Sequence, residues 1–321
     1  MKLERVGRLA ALTTTVIFAF TGCGGAGAVT TGAVPQGAMA QSRTHAASSS
    51  SGDLLYVGVR TGVFVFTYPK VKPVGKLSVS GAWGLCSDTN GNVFVTLDSG
   101  AVVEYAHGGT TPINTLSARG AWSCSWDPST GNLAVVERPN SIAIFSGATG
   151  TAQTYTDASF NEFNYCAYDD KGNLFATGQV NGPYQYALAE FDTGSGSFTT
   201  IPLNEKVDFL EDLQWDGKYL AIDDFYETGK IDRVKVSGRS GIIERTTNLG
   251  GAEFYGFWTW LQNGTFISPI YTGSHDDKMM DFWSYPSGGN PIKKLRPSDF
   301  KSRTIHGIAV SVAPSGARVH R

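Results

Sequence analysis

The chain carries almost no net charge and few of the residues from which catalytic and metal-binding motifs are built. Its 321 residues include 26 basic and 28 acidic side chains, for a formal charge of −2, and only 5 histidines and 4 cysteines. Such a balance creates no field that would steer the protein to nucleic acid or to anionic lipid. No HExxH, CxxC or GxSxG sequence occurs. Zinc hydrolysis and a serine nucleophile elbow therefore have no support, and we expect no nucleic-acid partner.

Long hydrophobic runs are also missing, except near the N-terminus. The segment LAALTTTVIFAF at 9–20 follows a basic start and is too short to span a bilayer comfortably. The next residues, FTGC, resemble a bacterial lipobox, in which small residues precede a cysteine that is lipidated after cleavage. The resemblance predicts a lipoprotein signal peptide at 1–22, lipid attachment at Cys23, and an exported protein anchored in the cell envelope, facing the periplasm or the exterior. An ordinary signal peptide cleaved after AMA at 38–40 is the alternative.

The segment after Cys23 lacks any apolar periodicity. Residues 24–52 are small and polar, and they cannot bury enough surface to offset the entropy lost on ordering. We therefore predict a flexible tether at 23–52, a folded domain at 53–313 and a short tail at 314–321.

What the sequence does contain is a repeat. Glycine is abundant, at 39 residues, and aromatic residues make up 12%, a mixture typical of short strands joined by tight turns. The stretch WGLCSDTNGNVFV at 83–95 recurs as SCSWDPSTGNLAVV at 123–136 and as YCAYDDKGNLFATG at 165–178, with weaker copies at 213–224, 257–270 and 308–316. The glycine of each turn returns at intervals of roughly 40–52 residues, the period expected of a β-propeller blade.

The repeat predicts an all-β, six-bladed β-propeller with four strands in each blade. The first copy lacks its first strand, because 54–59, 62–69 and 72–79 match strands two, three and four. The segment at 306–314 supplies a first strand at the other end of the chain. We therefore expect the C-terminal strand to join the N-terminal blade and close the ring, which removes open sheet edges.

The segments WGLCSDTNGNVFV and VVEYAHGGTTPINTL resemble NHL-type six-bladed propellers, and more closely a group of uncharacterised bacterial secreted propellers. The resemblance covers 53–313 and implies the architecture. It also implies that ligands bind on the face where the first strand of each blade begins. It implies no particular activity, because propellers host many unrelated functions.

The residues at this face form a candidate binding ring. Alignment of the six first strands places one residue of each blade at the mouth of the channel: Trp83, Trp122, Asn164, Glu211, Tyr255 and His306. Aromatic faces combined with polar side chains suit a sugar or an aromatic metabolite. The alternative is that these aromatic residues only pack between blades. The pattern favours a non-catalytic binding or scaffold module for a small molecule, glycan or protein.

A second hypothesis invokes a metal-assisted hydrolase. Gluconolactonase-like propellers hold a divalent ion at the top centre, and here Asn164, Glu211 and Asp223 are expected near that position. Carboxylate and amide oxygens are ligands that Ca²⁺ accepts. The simpler interpretation is that these carboxylates are solvated, so no cofactor is expected.

Three cysteines remain after Cys23, and each falls on a first strand: Cys86, Cys124 and Cys166. We expect the innermost strands of neighbouring blades to lie too far apart for a bridge, which needs Cα atoms within ~7 Å. The sequence therefore predicts three free, buried thiols that pack as small apolar side chains.

Overall fold

The computed structural model describes residues 52–182, 185–207, 209–224, 229–251, 258–270, 279–296 and 304–314. The chain divides into two compact units, Met1–Thr44 and His45–Arg321, and all described residues belong to the second. The predicted signal peptide, Cys23, the tether up to residue 51, Tyr255 and the tail from residue 315 lie outside the described residues. Within these ranges, the helical structure is one short 3-10 turn at Ser146–Ala148, and no helix is long and apolar enough to cross a bilayer.

The described residues form six antiparallel sheets of four strands each, arranged as the blades of a six-bladed β-propeller. Blade 1 contains β1 (Leu54–Val59), β2 (Gly62–Thr67) and β3 (Pro73–Leu77). Blade 2 contains β4 (Ala82–Ser87), β5 (Val93–Leu97), β6 (Ala101–Tyr105) and β7 (Pro112–Ser117). Blade 3 contains β8 (Ala121–Trp126), β9 (Leu133–Glu137), β10 (Ser141–Phe145) and β11 (Gln153–Thr156).

Blade 4 contains β12 (Phe160–Tyr168), β13 (Leu174–Val180), β14 (Tyr186–Asp192) and β15 (Ser197–Ile201). Blade 5 contains β16 (Leu210–Trp215), β17 (Leu220–Asp224), β18 (Lys230–Ser237) and β19 (Ser240–Asn248). Blade 6 contains β20 (Trp260–Gln262), β21 (Thr265–Ile270), β22 (Met279–Ser284) and β23 (Lys293–Leu295). The last strand, β24 (Ile305–Ser311), is the innermost strand of blade 1.

The predicted ring closure is confirmed. Strand β24 pairs with β1 in antiparallel register, from Leu54 opposite Ser311 to Val59 opposite Ile305. Apolar side chains then fill the spaces between blades, with one cluster joining blades 1 and 2 and another joining blades 1 and 6. Both β1 and β24 contribute side chains to both clusters, so the closing pair of strands packs against the blades on either side.

The glycine-containing turns predicted from the repeat are present, and aspartates stabilise four of them. In each of four blades an aspartate that follows the innermost strand accepts hydrogen bonds from backbone N–H groups of the next turn: Asp88, Asp127, Asp169 and Asp216. Gly172 has a φ of +84°, and a β-carbon there would lie 2.5 Å from the hydroxyl of Ser129. Glycine is required at this turn because it must bend into the left-handed region while lying against the turn of the preceding blade.

The prediction of three free thiols is wrong for two of them. Cys86 on β4 and Cys124 on β8 form a disulfide with Cα atoms 5.7 Å apart. The innermost strands of blades 2 and 3 converge near the channel axis, well within the distance that a bridge needs. Cys166 is free and buried, as expected, and burial raises the pKa of its thiol, which keeps it protonated and unreactive.

Glycines permit this convergence. Gly84 on β4 packs directly against the backbone of β8, where a β-carbon would lie 2.5 Å from the carbonyl oxygen of Trp122 and 2.8 Å from the Cα atom of Ser123. Both atoms belong to the main chain, so they cannot move aside without displacing the strand.

We expect Gly84→Ala to destabilise the protein by about 1–3 kcal/mol, because the added methyl group overpacks two backbones. The matched control is Gly75→Ala on the outer strand β3, where nothing lies within 4 Å of the added carbon and the change should stay within about 0.5 kcal/mol. Urea unfolding of both variants measures the difference. Equal unfolding free energies would contradict the close approach of β4 and β8.

Candidate functional site

Five of the six residues of the predicted ring line one cavity of about 360 Å³: Trp83, Trp122, Asn164, Glu211 and His306. The cavity lies at the end of the channel where the innermost strands begin. Tyr255 lies outside the described residues, but Trp258 of the same blade lines the cavity. The alignment of the first strands therefore places these five side chains correctly, whereas their part in binding stays a prediction.

Aromatic side chains meet one another across the channel at this cavity. The ring centroids of His306 and Trp83 are 4.4 Å apart, as are those of Trp83 and Trp122. Trp258 lies 5.2 Å from Trp122 and 5.2 Å from Tyr165. Because Trp122 belongs to blade 3 and Trp258 adjoins blade 6, on the opposite side of the ring, these five side chains form an aromatic bridge across the axis.

The aromatic bridge supports part of the packing alternative. Trp83 and Trp122 are half-buried, and parts of their ring surfaces are covered by each other and by neighbouring rings. Trp83 and Trp122 therefore act as the floor of the cavity. A ligand can contact only the parts of their rings that the other aromatic side chains leave uncovered.

The wall of the cavity is polar, and its central residue, Arg138, was not predicted. The Arg138 Cζ atom lies 3.4 Å from the ring centroid of Trp122, within cation–π distance. Its Nε lies 2.7 Å from Glu162 Oε1, and its Nη2 donates to Asn164 Oδ1 at 3.4 Å. Arg138 directly follows β9, the second strand of blade 3. Since second strands end where first strands begin, alignment of the ends of second strands would have found it.

Three more polar or aromatic side chains complete the wall: Gln179, Tyr186 and Glu162. The backbone beneath the site is held by hydroxyl groups from the preceding blade. Thr96 donates to the carbonyl oxygen of Trp122 at 2.7 Å, and Thr177 donates to that of Glu211 at 2.8 Å. The backbone at Trp122 and Glu211 is therefore held by hydrogen bonds between neighbouring blades.

Burial decides the charge of the cavity. It raises the pKa of Glu211 to about 8, an effect that the nearby Arg138 partly opposes and that Asp212 reinforces. Burial lowers the pKa of His306 to about 4, and Arg60 lowers it further. Near neutral pH, Glu211 is therefore mostly a protonated donor and His306 is neutral. The remaining charges, on Arg138 and Glu162, are paired with each other.

The three residues proposed as metal ligands do not all line one cavity. Asn164 and Glu211 line the cavity, but the Asn164 amide oxygen already accepts from Arg138. Asp223 is only 2% exposed, is not part of the cavity lining, and has no hydrogen bond to either carboxylate oxygen within the described residues. Nor does the described part of the chain contain any group of three or more His, Cys, Asp or Glu residues arranged to hold a metal ion.

Asp212 and Asp223 instead lie buried beside Glu211. The Asp212 carboxylate accepts from the backbone N–H and the hydroxyl group of Thr259, at 2.5 and 2.9 Å, while burial raises its pKa to about 7. Burial, with Asp212 and Glu211 nearby, also raises the pKa of Asp223 well above its usual range. The expectation that Glu211 and Asp223 are solvated is therefore wrong, because they lie, like Asp212, on the two innermost strands of blade 5.

Comparison with protein-family models and with curated proteins finds no match for this chain. Solved structures do match. A protein of unknown function from Bacteroides caccae shares 13% identity with a TM-score of 0.56, over 81% of this chain and 99% of that one. The β-propeller domain of Cps50 (Swd1) from Myceliophteria thermophila shares 11% identity with a TM-score of 0.55, over 76% of this chain and 83% of that one. At these identities the matches show the fold alone, so the NHL-type resemblance stays a prediction.

Replacing Glu211 tests its protonation state. An acid whose pKa is raised by folding binds its proton more tightly in the native state, so its contribution to stability is complete below the unfolded pKa and is lost as the pH rises toward about 8. We expect Glu211→Gln to make the fall of unfolding free energy between pH 5 and 8 shallower, by at most about 1.4 kcal/mol per pH unit.

Urea unfolding at several pH values measures this slope. The exposed Glu205→Gln substitution controls for the loss of one carboxylate from the chain. Parallel curves for the wild type and Glu211→Gln would contradict a proton held on Glu211 in the folded protein.

Proposed function

We propose that the protein is a non-catalytic binding module that holds a neutral, polyhydroxylated small molecule, such as a sugar or the end of a glycan, in the cavity above the aromatic bridge. The observation that carries the proposal is the convergence of side chains from all six blades on one cavity whose charges cancel. A protein segment that presents a small polar group is the other occupant that this surface suits.

The polar groups of the wall match the needs of hydroxyl groups. A sugar hydroxyl both donates and accepts, and the wall offers donors from Arg138 and protonated Glu211, together with the amide of Gln179, which does both. The aromatic floor provides carbon surface for the apolar face of a sugar ring. A charged ligand would gain less electrostatic binding energy, because Arg138 and Glu162 already neutralise each other.

The cavity also favours binding over chemistry. Its described lining contains no Ser, Cys or Lys that would serve as a nucleophile, and His306 is a weak base because its pKa is lowered to about 4. The metal-assisted lactonase alternative has one observation in its favour, that Asn164 and Glu211 share the cavity, and we do not prefer it.

Export and lipid anchoring complete the proposal. The lipobox-like FTGC ending at Cys23 and the polar segment after it support a propeller held at a membrane through a lipid and a tether, with its cavity open to the cell envelope. A binding module of this kind would retain its ligand close to the cell surface.

A binding experiment tests the cavity. We expect at least one neutral mono- or disaccharide, from a panel that includes cell-wall sugars, to bind the wild type by isothermal titration calorimetry. Gln179→Ala should weaken that binding roughly five- to tenfold, the loss of about one hydrogen bond. Gln153→Ala, on an exposed outer strand, should have no effect. Failure of the whole panel, or equal affinity of both variants, would argue against the proposal.

Lipid attachment is tested separately. Full-length protein expressed in a bacterium should partition into the detergent phase and incorporate labelled palmitate, and Cys23→Ala should remove both properties while leaving the thermal unfolding of the propeller unchanged. If wild-type and Cys23→Ala proteins partition alike, Cys23 is not the anchor.

A further inference from the structure

The opposite end of the channel contains a second cavity, of about 490 Å³, that shares no lining residue with the first. It is lined by the ends of the innermost strands and by the turns that follow them. On β4, for example, Trp83 lines the first cavity and Cys86 lines the second. The two cavities are therefore separate sites at the two mouths of the channel.

Three tryptophans line this second cavity: Trp126, Trp215 and Trp260. Each is half-buried as a residue, yet its indole nitrogen is buried and has no hydrogen-bond partner in the described part of the chain. The accessible part of each indole is therefore ring carbon. The cavity thus presents aromatic carbon and does not present indole N–H donors. The face of an indole ring carries negative potential and attracts cations.

The charges of the second cavity have one sign. Asp88, Asp169 and Asp170 line it, and its described lining contains no Lys, Arg or His. Asp88 and Asp169 are held in place by the backbone N–H groups of their own turns, whereas Asp170 is exposed. Carboxylates and aromatic faces both attract a cation, and both repel an anion.

We propose that this second cavity binds an organic cation of the alkylammonium class, with the tryptophans contacting its methyl or methylene groups and the aspartates balancing its charge. Such a cation is attracted by aromatic faces and by carboxylates at the same time, and it does not need hydrogen bonds from the indole N–H groups, which are buried here. The first cavity, with its paired charges and hydrogen-bonding wall, favours the opposite kind of ligand. The protein therefore holds two sites of different specificity.

Choline and its neutral isostere, 3,3-dimethyl-1-butanol, provide the test, because they have the same shape and differ in charge. We expect full-length protein to bind choline in the millimolar range or tighter by calorimetry, and to bind the isostere at least tenfold more weakly. Asp170→Asn, an exposed change that disturbs no packing, should weaken choline binding two- to fivefold at low salt and less at high salt. Trp215→Leu should weaken it about tenfold.

Two controls separate this site from the first cavity. Gln179→Ala and Glu205→Gln should leave choline affinity unchanged. The proposal would be overturned if choline and its isostere bound equally well, or if choline did not bind at concentrations up to about 50 mM. It would also be overturned if Gln179→Ala abolished choline binding while Asp170→Asn left it unchanged. If choline binds but no sugar of the panel does, the result would contradict only the proposal for the first cavity.

Discussion

The structure depends on how closely the innermost strands approach one another at the axis. Gly84 allows β4 to lie directly against the backbone of β8, where any side chain would collide with main-chain atoms. At that distance a disulfide can join Cys86 to Cys124. Aromatic side chains can also reach across the axis, as Trp122 and Trp258 do. Without this approach the channel would be wider, and the first cavity would lack its aromatic floor.

The close approach also determines the electrostatics. Carboxyl groups on the innermost strands of blade 5 are almost entirely buried, so Glu211 and Asp212 keep their protons to higher pH. If the side chain of Glu211 were exposed to water, its carboxyl group would be charged at neutral pH and would make the first cavity acidic. Because burial neutralises Glu211, the cavity can offer it as a hydrogen-bond donor while Arg138 stays paired with Glu162.

The sequence was sufficient to predict the blades, because each turn is a local event. An aspartate followed within four residues by a glycine marks the reversal in four blades, as Asp169 and Gly172 do, and the missing first strand at one end matches the extra strand at the other. The same alignment predicted where Trp83 and His306 lie. It could not predict what these side chains contact, because contacts across the axis depend on the channel width, which depends in turn on glycines whose packing partners are distant in sequence.

The disulfide and Arg138 were missed for different reasons. The bridge was missed because the innermost strands of neighbouring blades were expected to lie too far apart, whereas the Cα atoms of Cys86 and Cys124 are 5.7 Å apart. Arg138 was missed because it follows a second strand and only first strands were aligned. The closure of the ring has a mechanical side as well. Leu54 and Ser311 are opposite partners in an antiparallel pair, so a load applied through the two ends of the propeller would pull at the same end of that pair. Such a load would break the hydrogen bonds between β24 and β1 one after another, so the ring would open between these two strands before any other blade was strained.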